Sequence, residues 1–393
     1  MLNKVKGVNL GNWLVLEKWM SPSLFEGTTA EDEYYLARQL PPDVYEARIR
    51  THRSEYITER DFACIARMGF NSVRIPVPYF VFGDRPPFIG CVEELDRAFG
   101  WAEKYGIRIL LDLHTVPMSQ NGFDNGGLSG VCRWSQLPDE VAYVLQVLEK
   151  LARRYGHHAA LMGIEPLNEP VSEEIWQTMD VQHRYPPVDQ ELARGSAPVT
   201  LAFLKDFYRK VYERIRPCMA QEKYLVFHDG FRLEAWEDFF RNSKMENVAL
   251  DTHKYLMTAE AMGCACSLQG YLNHIQSVWL PEISRVQRYV TVICGEWSLF
   301  NSYTVGMDTK GGQTVLNGMA FDGKRQQLSP EEKKQVYQAL AKAQLALWNR
   351  AGGYYYWSYK VLLDTVHSPD WFGWDSWDLG KACMEGWFPE NKG

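Results

Sequence analysis

Eight short runs rich in β-branched and apolar residues recur along this chain of 393 residues, and most are separated by segments with apolar residues at three- and four-residue spacing. This alternation is typical of parallel strands joined by crossover helices. Eight such strands are buried on both faces and close most simply as a barrel, so we predict a (β/α)8 or TIM barrel of the α/β class. The predicted strands are Val5–Leu10, Asn71–Val77, Arg108–His114, Leu161–Leu167, Tyr224–His228, Val248–His253, Val290–Cys294 and Gly353–Ser358.

The segments between these strands predict helices, several of which are followed by a glycine, as is common at helix ends. The length of the chain allows two average domains or one large barrel. Because no linker-like, low-complexity or repeated segment is found, we predict one domain over residues 1–393. The predicted helices are Glu55–Met68, Val92–Tyr105, Pro138–Tyr155, Thr200–Ile215, Leu233–Phe240, Leu268–Tyr289 and Pro330–Ala351.

The charge balance argues against two classes of partner. The chain has 42 Lys and Arg against 49 Asp and Glu, and it has no basic cluster that would bind nucleic acid or an anionic membrane surface. No run of about 18 apolar residues and no signal peptide is visible, so we expect a cytoplasmic protein that does not span a membrane. Eight scattered cysteines fit reduced thiols. Nothing in the sequence indicates the oligomeric state.

Polar and aromatic side chains gather at the carboxyl ends of the predicted strands, where barrel enzymes hold their catalytic residues. Three long segments follow strands on the same side, at Val171–Pro198, Leu299–Gln327 and Lys360–Trp387. Long loops at this edge usually form pocket walls, so we expect a closed pocket there. The residues at the rim are Arg74, His114, Asn168, Glu169, His253, Tyr255, Glu296 and Trp357.

Two of these rim residues are glutamates in similar surroundings. Glu169 lies in Gly163-Ile-Glu-Pro-Leu-Asn-Glu-Pro170, and Glu296 lies in Ile293-Cys-Gly-Glu-Trp297. Retaining glycoside hydrolysis needs two carboxyl groups about 5–5.5 Å apart, one ionised to attack the anomeric carbon and one protonated to donate to the leaving oxygen. The pair predicts this chemistry, and no metal or cofactor is required for it.

The surroundings expected for the two carboxyl groups differ. Arg74 and the Tyr255 hydroxyl are expected near Glu296, where they would hold it charged. Burial and the neighbouring carboxylate would raise the pKa of Glu169 and keep it protonated. The two histidines at the rim would donate hydrogen bonds to sugar hydroxyls or to the carboxylates.

Together these segments resemble glycoside hydrolase family 5, and the resemblance spans nearly the whole chain. It implies that Glu169 is the acid/base, that Glu296 is the nucleophile and that Trp357 is the platform beneath the cleaved sugar. The motifs that carry the resemblance are Asn71-Ser-Val-Arg-Ile-Pro76, Leu111-Asp-Leu-His114, Asn168-Glu-Pro170, His253-Lys-Tyr255, Gly295-Glu-Trp297 and Trp357.

Two further segments resemble the exo-β-1,3-glucanase branch of that family: Gly7-Val-Asn-Leu-Gly-Asn-Trp-Leu-Val-Leu-Glu-Lys-Trp19 and Ser119-Gln-Asn-Gly-Phe-Asp-Asn125. The resemblance implies that Glu17 binds hydroxyls of the terminal sugar and closes the pocket behind it, which makes the enzyme exo-acting. Asp124 and Asn125 would line the same end. The alternatives are a surface charge for Glu17 and an ordinary turn for the other two.

Seven tryptophans offer flat apolar faces for sugar rings, although a large aromatic side chain is more often part of a core. Among them we take Trp371 as a substrate-binding residue, because it lies beyond the eighth predicted strand in a segment suited to a pocket wall. The seven are Trp13, Trp19, Trp134, Trp297, Trp371, Trp374 and Trp377.

Departures from the glucanase pattern bear on the sugar. Asn12 stands where that branch usually has a second Gly, Lys254 where it has a second His, and Tyr356-Trp-Ser-Tyr359 where it has a Phe-Trp-Thr-Trp-like stretch. With a cytoplasmic location, these differences favour a resemblance to the bacterial intracellular β-mannosidases of the family, which implies an enzyme that removes mannose from small glycans such as mannosyl-β-1,4-N-acetylglucosamine. The alternatives are an exo-β-1,3-glucanase or β-glucosidase, and an endo-acting glucanase or mannanase. A carbohydrate-binding protein without activity is disfavoured, since both glutamates are present; the expected partner is an oligosaccharide substrate.

Overall fold

The computed structural model describes residues 4–305, 328–368, 371 and 373–389, together with a two-residue antiparallel pair at 315–316 and 319–320. Eight strands are β1 (Val5–Asn9), β2 (Ser72–Val77), β3 (Arg108–Leu113), β4 (Leu161–Glu165), β5 (Tyr224–His228), β6 (Val248–His253), β7 (Thr291–Trp297) and β8 (Gly353–Tyr356). They close a barrel in the order β1-β8-β7-β6-β5-β4-β3-β2, and every neighbouring pair is parallel. The predicted (β/α)8 barrel is confirmed.

All eight predicted strands are present, and the largest difference at a functional position is in β7. This strand continues to Trp297, three residues beyond its predicted end at Cys294, so Glu296 lies within the strand. Backbone hydrogen bonds hold this extension of β7 on both of its sides. The Lys254 N–H donates to the Glu296 carbonyl over 3.0 Å, and the Trp357 N–H donates to the Trp297 carbonyl over 2.8 Å.

Helices fill the connections between the strands. Val92–Tyr105 and Pro138–Tyr155 have their predicted bounds. The helices are α1 (Glu33–Gln39), α2 (Pro42–Tyr56), α3 (Glu59–Arg67), α4 (Val92–Tyr105), α5 (Pro138–Tyr155), α6 (Glu173–Thr178), α7 (Val181–Arg184), α8 (Gln190–Ala193), α9 (Leu201–Ile215), α10 (Glu237–Arg241), α11 (Leu256–Ala261), α12 (Leu268–His274), α13 (Leu280–Val286), α14 (Ser302–Val305), α15 (Pro330–Trp348) and α16 (Leu379–Met384).

Two predicted helices are interrupted for identifiable reasons. The predicted helix Glu55–Met68 is divided, because Thr58 caps the start of α3 in a capping box with Asp61. The predicted helix Leu268–Tyr289 contains a π-helical turn at Ile275–Trp279 between α12 and α13. Pro281 follows this turn and has no N–H to donate to the preceding turn, which explains a local change of helix type.

The barrel interior changes from apolar to polar toward the carboxyl ends of its strands. Its apolar layer contains Val5, Leu110, Val226, Ile293 and Tyr355, among others. Residues two positions apart share a face of a strand, so Asp112 and His114 lie above Leu110 on the same side of β3. The layer above the apolar one therefore holds buried charged groups, and these position the site described below.

The long loops contribute walls at that same end. The segment Val171–Pro198 contains α6, α7 and α8, and the segment Lys360–Trp387 contains a 3-10 turn at Trp374–Trp377 and α16. Of the predicted wall Leu299–Gln327, residues 306–314, 317–318 and 321–327 lie outside the described residues. Within the described part of the chain, no helix combines the length and the apolarity needed to cross a bilayer.

Candidate active site

A cavity of about 120 Å3 opens at the carboxyl ends of the barrel strands. This space is of the order of a single sugar ring. Four carboxylates converge on it, from the loops after β1, β3 and β4 and from the end of β7. The lining residues are Glu17, Trp19, Phe123, Asp124, Asn125, Glu169, Met179, Tyr185, Tyr255, Met257, Thr258, Glu296, Trp357, Trp374 and Trp377.

The two predicted catalytic glutamates both lie near the same ring nitrogen of His253. His253 Nδ1 lies 2.8 Å from Glu169 Oε1 and 3.5 Å from Glu296 Oε2. The two carboxylate oxygens are therefore separated by no more than the sum of these distances, 6.3 Å. Inverting glycosidases hold their carboxyl groups about 6.5–9.5 Å apart to admit a water molecule, whereas retaining enzymes hold them at about 5–5.5 Å. The geometry favours the retaining arrangement.

Glu296 is held by permanent hydrogen-bond donors. Arg74 Nη1 donates to Glu296 Oε1 over 2.8 Å, and the Tyr255 hydroxyl donates to Glu296 Oε2 over 2.8 Å. The guanidinium of Arg74 is fully buried and is itself fixed by Glu165, which accepts from Nε at 2.8 Å and from Nη2 at 3.2 Å. Asn168 Oδ1 also accepts from Arg74 Nη2 over 2.8 Å. The planar guanidinium of Arg74, itself held in place, thus fixes the orientation of Glu296.

Glu169 has different neighbours and a strained backbone. Asn125 Nδ2 donates to Glu169 Oε2 over 2.7 Å, and His253 Nδ1 bonds Glu169 Oε1. Its φ is +44°, in the left-handed region that residues with a Cβ rarely adopt. Gln120 holds the adjacent backbone, because its Nε2 donates to the carbonyls of His114 and Asn168 at 2.9 and 2.7 Å. This side chain joins the loops after β3 and β4.

His114 lies beneath the cavity, and Asp112 fixes the orientation of its ring. Its Nδ1 is 2.5 Å from Asp112 Oδ2, and its Nε2 is 3.4 Å from Asn168 Nδ2. The His114 ring stacks against Trp357, with centroids 5.8 Å apart and an 11° angle between planes. His114 therefore supports the predicted sugar platform and the amide beside Glu169.

The predicted difference between the two carboxyl pKa values is wrong. Burial raises the pKa of Glu296 above its usual value, and the nearby Glu169 adds to the rise; His253 and, more weakly, Arg74 oppose it without reversing it. Burial acts in the same direction on Glu169, but the hydrogen bonds from His253 and Asn125 outweigh it, so the pKa of Glu169 is lowered. The prediction failed because it did not include His253 as a cation between the two carboxylates.

His253 is the group that holds a proton between them. Burial acts to lower its pKa, but the nearby Glu296 and Asp251 carboxylates outweigh burial and hold the pKa well above its usual value. Asp251 Oδ2 lies 3.4 Å from His253 Nε2. At neutral pH the imidazole is therefore charged, and one hydrogen bond joins it to Glu169.

The loop after β1 contributes Glu17 and Trp19 to the wall of the cavity. Glu17 is 4% exposed, and its Oε2 accepts a hydrogen bond from Trp19 Nε1 over 2.8 Å. Asn12, with φ +62°, accepts from the Glu17 N–H over 3.0 Å through Oδ1 and donates to Ser21 Oγ over 2.6 Å. Glu17 is thus a buried residue in the wall of the cavity, and the alternative that it is a surface charge is wrong.

Two acidic groups at this end share an upward pKa shift. Burial raises the pKa of Glu17 well above its usual value, and the charges of Asp124 and Glu296 add to the effect. Burial likewise raises the pKa of Asp124 to about 6. Both carboxyl groups lose their solvation because they face a small cavity, where sugar hydroxyls would replace water as hydrogen-bond partners.

The tryptophans divide into cavity walls and core. Trp357 lines the cavity, and its ring packs closely over Gly11, where a Cβ would lie 2.8 Å from a ring carbon. Trp371 is misplaced by the prediction: it packs edge-to-face on Trp374, with centroids 5.0 Å apart, and is not among the lining residues. Trp19, Trp374 and Trp377 form the wall, while the fully buried Trp13, Trp134 and Trp297 belong to the core.

Sequence reasoning missed the charged layer beneath the cavity. Asp112, Glu165 and Asp251 are fully buried at the centres or ends of strands. A charged residue in a strand buried on both faces needs a partner, and this signal was available in the sequence. The network contains two clusters of ligand-type atoms within 4.8 Å of one another, Glu169 with His228 and His253, and Glu165 with Asp251 and His253. Because His253 belongs to both and is bonded to carboxylates, we assign the clusters to the hydrogen-bond network.

Comparisons with known proteins agree with this geometry. Residues 43–323 match the family model described as Cellulase (glycosyl hydrolase family 5). A probable glucan 1,3-beta-glucosidase A of Emericella nidulans is 33% identical over 410 residues, covering 99% of this chain and 91% of that protein. Glucan 1,3-beta-glucosidase 1 of Schizosaccharomyces pombe is 30% identical, covering 98% and 88%. The crystal structure of a rutinosidase from Aspergillus niger superposes with a TM-score of 0.72 at 20% identity, covering 98% of each chain, and shares the fold.

Proposed function

The chain belongs to glycosyl hydrolase family 5 and is an O-glycosyl hydrolase, and we propose that it is an exo-acting β-1,3-glucosidase that releases terminal glucose from short β-1,3-glucans with retention. The observation that carries the proposal is the pair of carboxylates that share His253 Nδ1, in a cavity of about one sugar ring. The small size of the cavity argues for removal of one sugar at a time.

In the first step, a Glu296 oxygen attacks the anomeric carbon, and the bond from that carbon to the leaving oxygen breaks. Glu169 donates a proton to the leaving oxygen, so the aglycone departs as a neutral alcohol. In the second step, Glu169 accepts a proton from water, the water oxygen attacks the anomeric carbon, and Glu296 is released. Two inversions at one carbon give net retention.

The proton for the first step is held by His253 before the sugar binds. Its Nδ1 is bonded to Glu169, so transfer over this 2.8 Å contact places the proton on the carboxyl group that faces the leaving oxygen. Substrate binding displaces water from Glu169 and favours its neutral form. Arg74 and Tyr255 keep Glu296 aligned for attack throughout.

Glu17 supports exo action. With Trp19 and Asp124 it walls a cavity of about one sugar ring, which leaves little room for a chain to continue beyond that sugar. Its Oε1 is buried and has no hydrogen-bond partner within the described protein, so a hydroxyl of the terminal sugar would satisfy it.

The choice of glucose follows the relatives, two of which are named for β-1,3-glucosidase activity and match almost the whole chain. The preference for mannose that the sequence favoured is not supported by these comparisons. Glucose and mannose differ in the orientation of the 2-hydroxyl, whose hydrogen bonds contribute several kcal/mol in the transition state. The sugar is therefore chosen by groups close to Glu296 and Asn168.

Initial rates on laminaribiose, laminaritriose, 4-nitrophenyl β-glucoside and 4-nitrophenyl β-mannoside test the proposal, with Glu296→Ala as the background control. We expect glucose as the first product from both oligosaccharides and a kcat/KM for the glucoside well above that for the mannoside. Faster cleavage of the mannoside would contradict the sugar assignment. Release of disaccharides from laminaritetraose before glucose would contradict exo action.

A further inference from the structure

The loop that follows β1 is held together by Asn12, a fully buried residue. Asn12 Oδ1 accepts a hydrogen bond from the Glu17 N–H over 3.0 Å, and Asn12 Nδ2 donates to Ser21 Oγ over 2.6 Å. The Asn12 carbonyl accepts from His52 Nε2, on α2, over 2.6 Å. One residue thus joins two points of its own loop to a neighbouring helix.

His52 anchors the backbone of Asn12 with a hydrogen bond of fixed direction. A carbonyl oxygen can only accept, so the proton of His52 lies on Nε2. Burial lowers the pKa of His52 to about 4, so the ring is neutral at neutral pH. The ring also stacks on Tyr56, with centroids 4.8 Å apart. This anchor therefore does not change around neutral pH.

Within this loop, Glu17 is bonded at three of its polar groups. Asn12 holds its N–H, and the Met20 N–H donates to its carbonyl over 3.0 Å. Trp19 Nε1 donates to its Oε2 over 2.8 Å. Glu17 Oε1 is buried and has no hydrogen-bond partner among the described residues. Since Glu17 lines the catalytic cavity, this oxygen is the one left for a sugar hydroxyl.

The backbone conformation of Asn12 does not by itself account for its side chain. Its φ is +62°, a left-handed conformation that glycine adopts without strain and asparagine more easily than most residues. Glycine at this position would keep the turn, but it would remove the acceptor of the Glu17 N–H and the donor to the buried Ser21 hydroxyl. The asparagine side chain therefore supplies the connection between the turn and Glu17.

We propose that Asn12 is a positioning residue for the terminal sugar, which places Glu17 so that its Oε1 meets a sugar hydroxyl. Asn12 itself is not among the residues that line the catalytic cavity, so it acts through Glu17. The inference rests on the proposed exo-glycosidase function and deepens it. Its consequence is that Asn12 contributes to binding of the sugar only while the Glu17 carboxylate is present.

A double-mutant cycle tests this dependence, with the 4-nitrophenyl β-glycoside of whichever sugar is cleaved fastest. We expect Asn12→Gly to lower kcat/KM about 5- to 50-fold, since a displaced Glu17 loses its hydrogen bond to the sugar. Glu17 is not one of the two reacting carboxylates, so that bond is made in the bound substrate and in the transition state alike. Most of the loss should therefore be in KM, with kcat within about threefold of wild type.

The decisive comparison is made in a chain that lacks the Glu17 carboxylate. Glu17→Ala should lose at least as much kcat/KM as Asn12→Gly, and it keeps the backbone N–H that Asn12 holds. Adding Asn12→Gly to Glu17→Ala should change kcat/KM by less than about twofold, because the two residues act as a unit. Two losses that multiply would overturn the inference, and so would an unchanged kcat/KM in either single variant.

Asn247→Gly is the matched control for the loss of an asparagine from a left-handed turn. Asn247 has a φ of +52°, and its Nδ2 donates to the Gln221 carbonyl over 2.7 Å. It precedes β6, at the opposite end of the barrel from the catalytic cavity. This variant should keep the wild-type kcat and KM.

Ser21→Ala provides a second test that leaves the backbone of Asn12 unchanged, should Asn12→Gly fail to fold. It removes the hydroxyl that accepts from Asn12 Nδ2, and it should lower kcat/KM about two- to fivefold. This effect should also disappear when Glu17 is replaced by Ala. An equal effect of Ser21→Ala with and without the Glu17 carboxylate would contradict the inference.

The glucan proposal and this inference fail in different ways. If laminaribiose is not cleaved but the aryl glycoside is, and the effect of Asn12→Gly depends on Glu17, the glucan assignment is wrong and the role of Asn12 stands. If laminaribiose is cleaved to glucose but the losses of Asn12→Gly and Glu17→Ala multiply, the glucan assignment stands and the role of Asn12 is wrong.

Discussion

The two carboxylates of the active site both lie near Nδ1 of His253 but differ in the kind of group that holds them. Glu296 accepts hydrogen bonds from Arg74, which keeps its charge at any pH relevant to the protein, and from the Tyr255 hydroxyl. Glu169 is held by the neutral amide of Asn125 and by His253, which titrates.

This difference separates orientation from proton supply. The partners of Glu296 fix its position and do not exchange a proton with it at neutral pH, as a nucleophile requires. One partner of Glu169 can pass it a proton and take it back, as an acid/base requires. The roles of Glu296 and Glu169 follow more directly from their hydrogen-bond partners than from the directions of their pKa shifts.

The largest effect is expected on removing the nucleophile. Glu296→Ala should lower kcat/KM on every glycoside by about four orders of magnitude or more, because the variant lacks the carboxylate that attacks the anomeric carbon. Stopped assays with long incubation and a freshly purified enzyme measure the residual rate.

Glu169→Ala is the matched comparison for that variant. It should lose a similar factor on laminaribiose, but much less for the first step with 2,4-dinitrophenyl β-glucoside, whose leaving group needs no proton. Azide should accelerate its turnover by attacking the glycosyl enzyme without a base. Equal losses for both variants on the activated substrate would contradict the difference in roles.

Replacing the titrating partner tests the proton supply. His253→Gln should lower kcat/KM by about 10²–10⁴-fold, the usual contribution of a proton-transfer group. Because the pKa of His253 is held well above its usual value, the wild-type enzyme keeps its proton to high pH. Without the imidazole, the last proton leaves Glu169 itself, so the basic limb of kcat/KM should move to lower pH. A basic limb that does not move would show that the proton is held elsewhere.

Removing the neutral partner should have a smaller effect. Asn125→Ala takes one hydrogen bond from Glu169, and bonds to charged groups contribute about 1.5–3 kcal/mol, so kcat/KM should fall roughly 10- to 100-fold. The basic limb of the pH profile of kcat/KM should remain at high pH, since His253 is still present. Ala220→Ser, in the loop before β5, is the control for a substitution remote from the site. Gly83→Ala is also remote but would strain the backbone, because the φ of Gly83 is +71°.

The smallest effect concerns stability. The pKa of Asp124 is about 6 in the folded chain, above its ordinary value of 3.8, so the folded state favours the protonated form and ionisation lowers stability as pH rises through this interval. Asp124→Asn should therefore raise the free energy of unfolding at pH 7 by about 1–3 kcal/mol and leave it unchanged near pH 4. Urea denaturation at the two pH values measures this. An equal change at both would contradict the electrostatic cause.

The barrel could be predicted because two features indicate its strands: a β-branched apolar run, and polar residues at the carboxyl end. The end of β7 could not be predicted, because the bonds that extend it to Trp297 come from Lys254 and Trp357, which immediately follow the neighbouring strands β6 and β8. Backbone pairing between strands cannot be derived from local periodicity.

Within the site, residue identities were more predictable than their electrostatics. Glu17, Asp124 and Asn125 line the cavity as the resemblance implied. The pKa of Glu169 was predicted in the wrong direction because it depends on two contacts from distant loops, His253 and Asn125. Trp371 was misplaced because a run of aromatic residues does not reveal which faces the cavity and which packs behind.

The central claim is that Glu296 becomes covalently bonded to the sugar. Incubation with 2,4-dinitrophenyl 2-deoxy-2-fluoro-β-glucoside, followed by intact-protein and peptide mass spectrometry, tests it directly, because the fluorine slows the second step and lets the intermediate accumulate. The account predicts a mass increase of one fluoroglucosyl unit on the peptide that contains Glu296. No covalent species, despite turnover of the unmodified glucoside, or a label on Glu169 would contradict it.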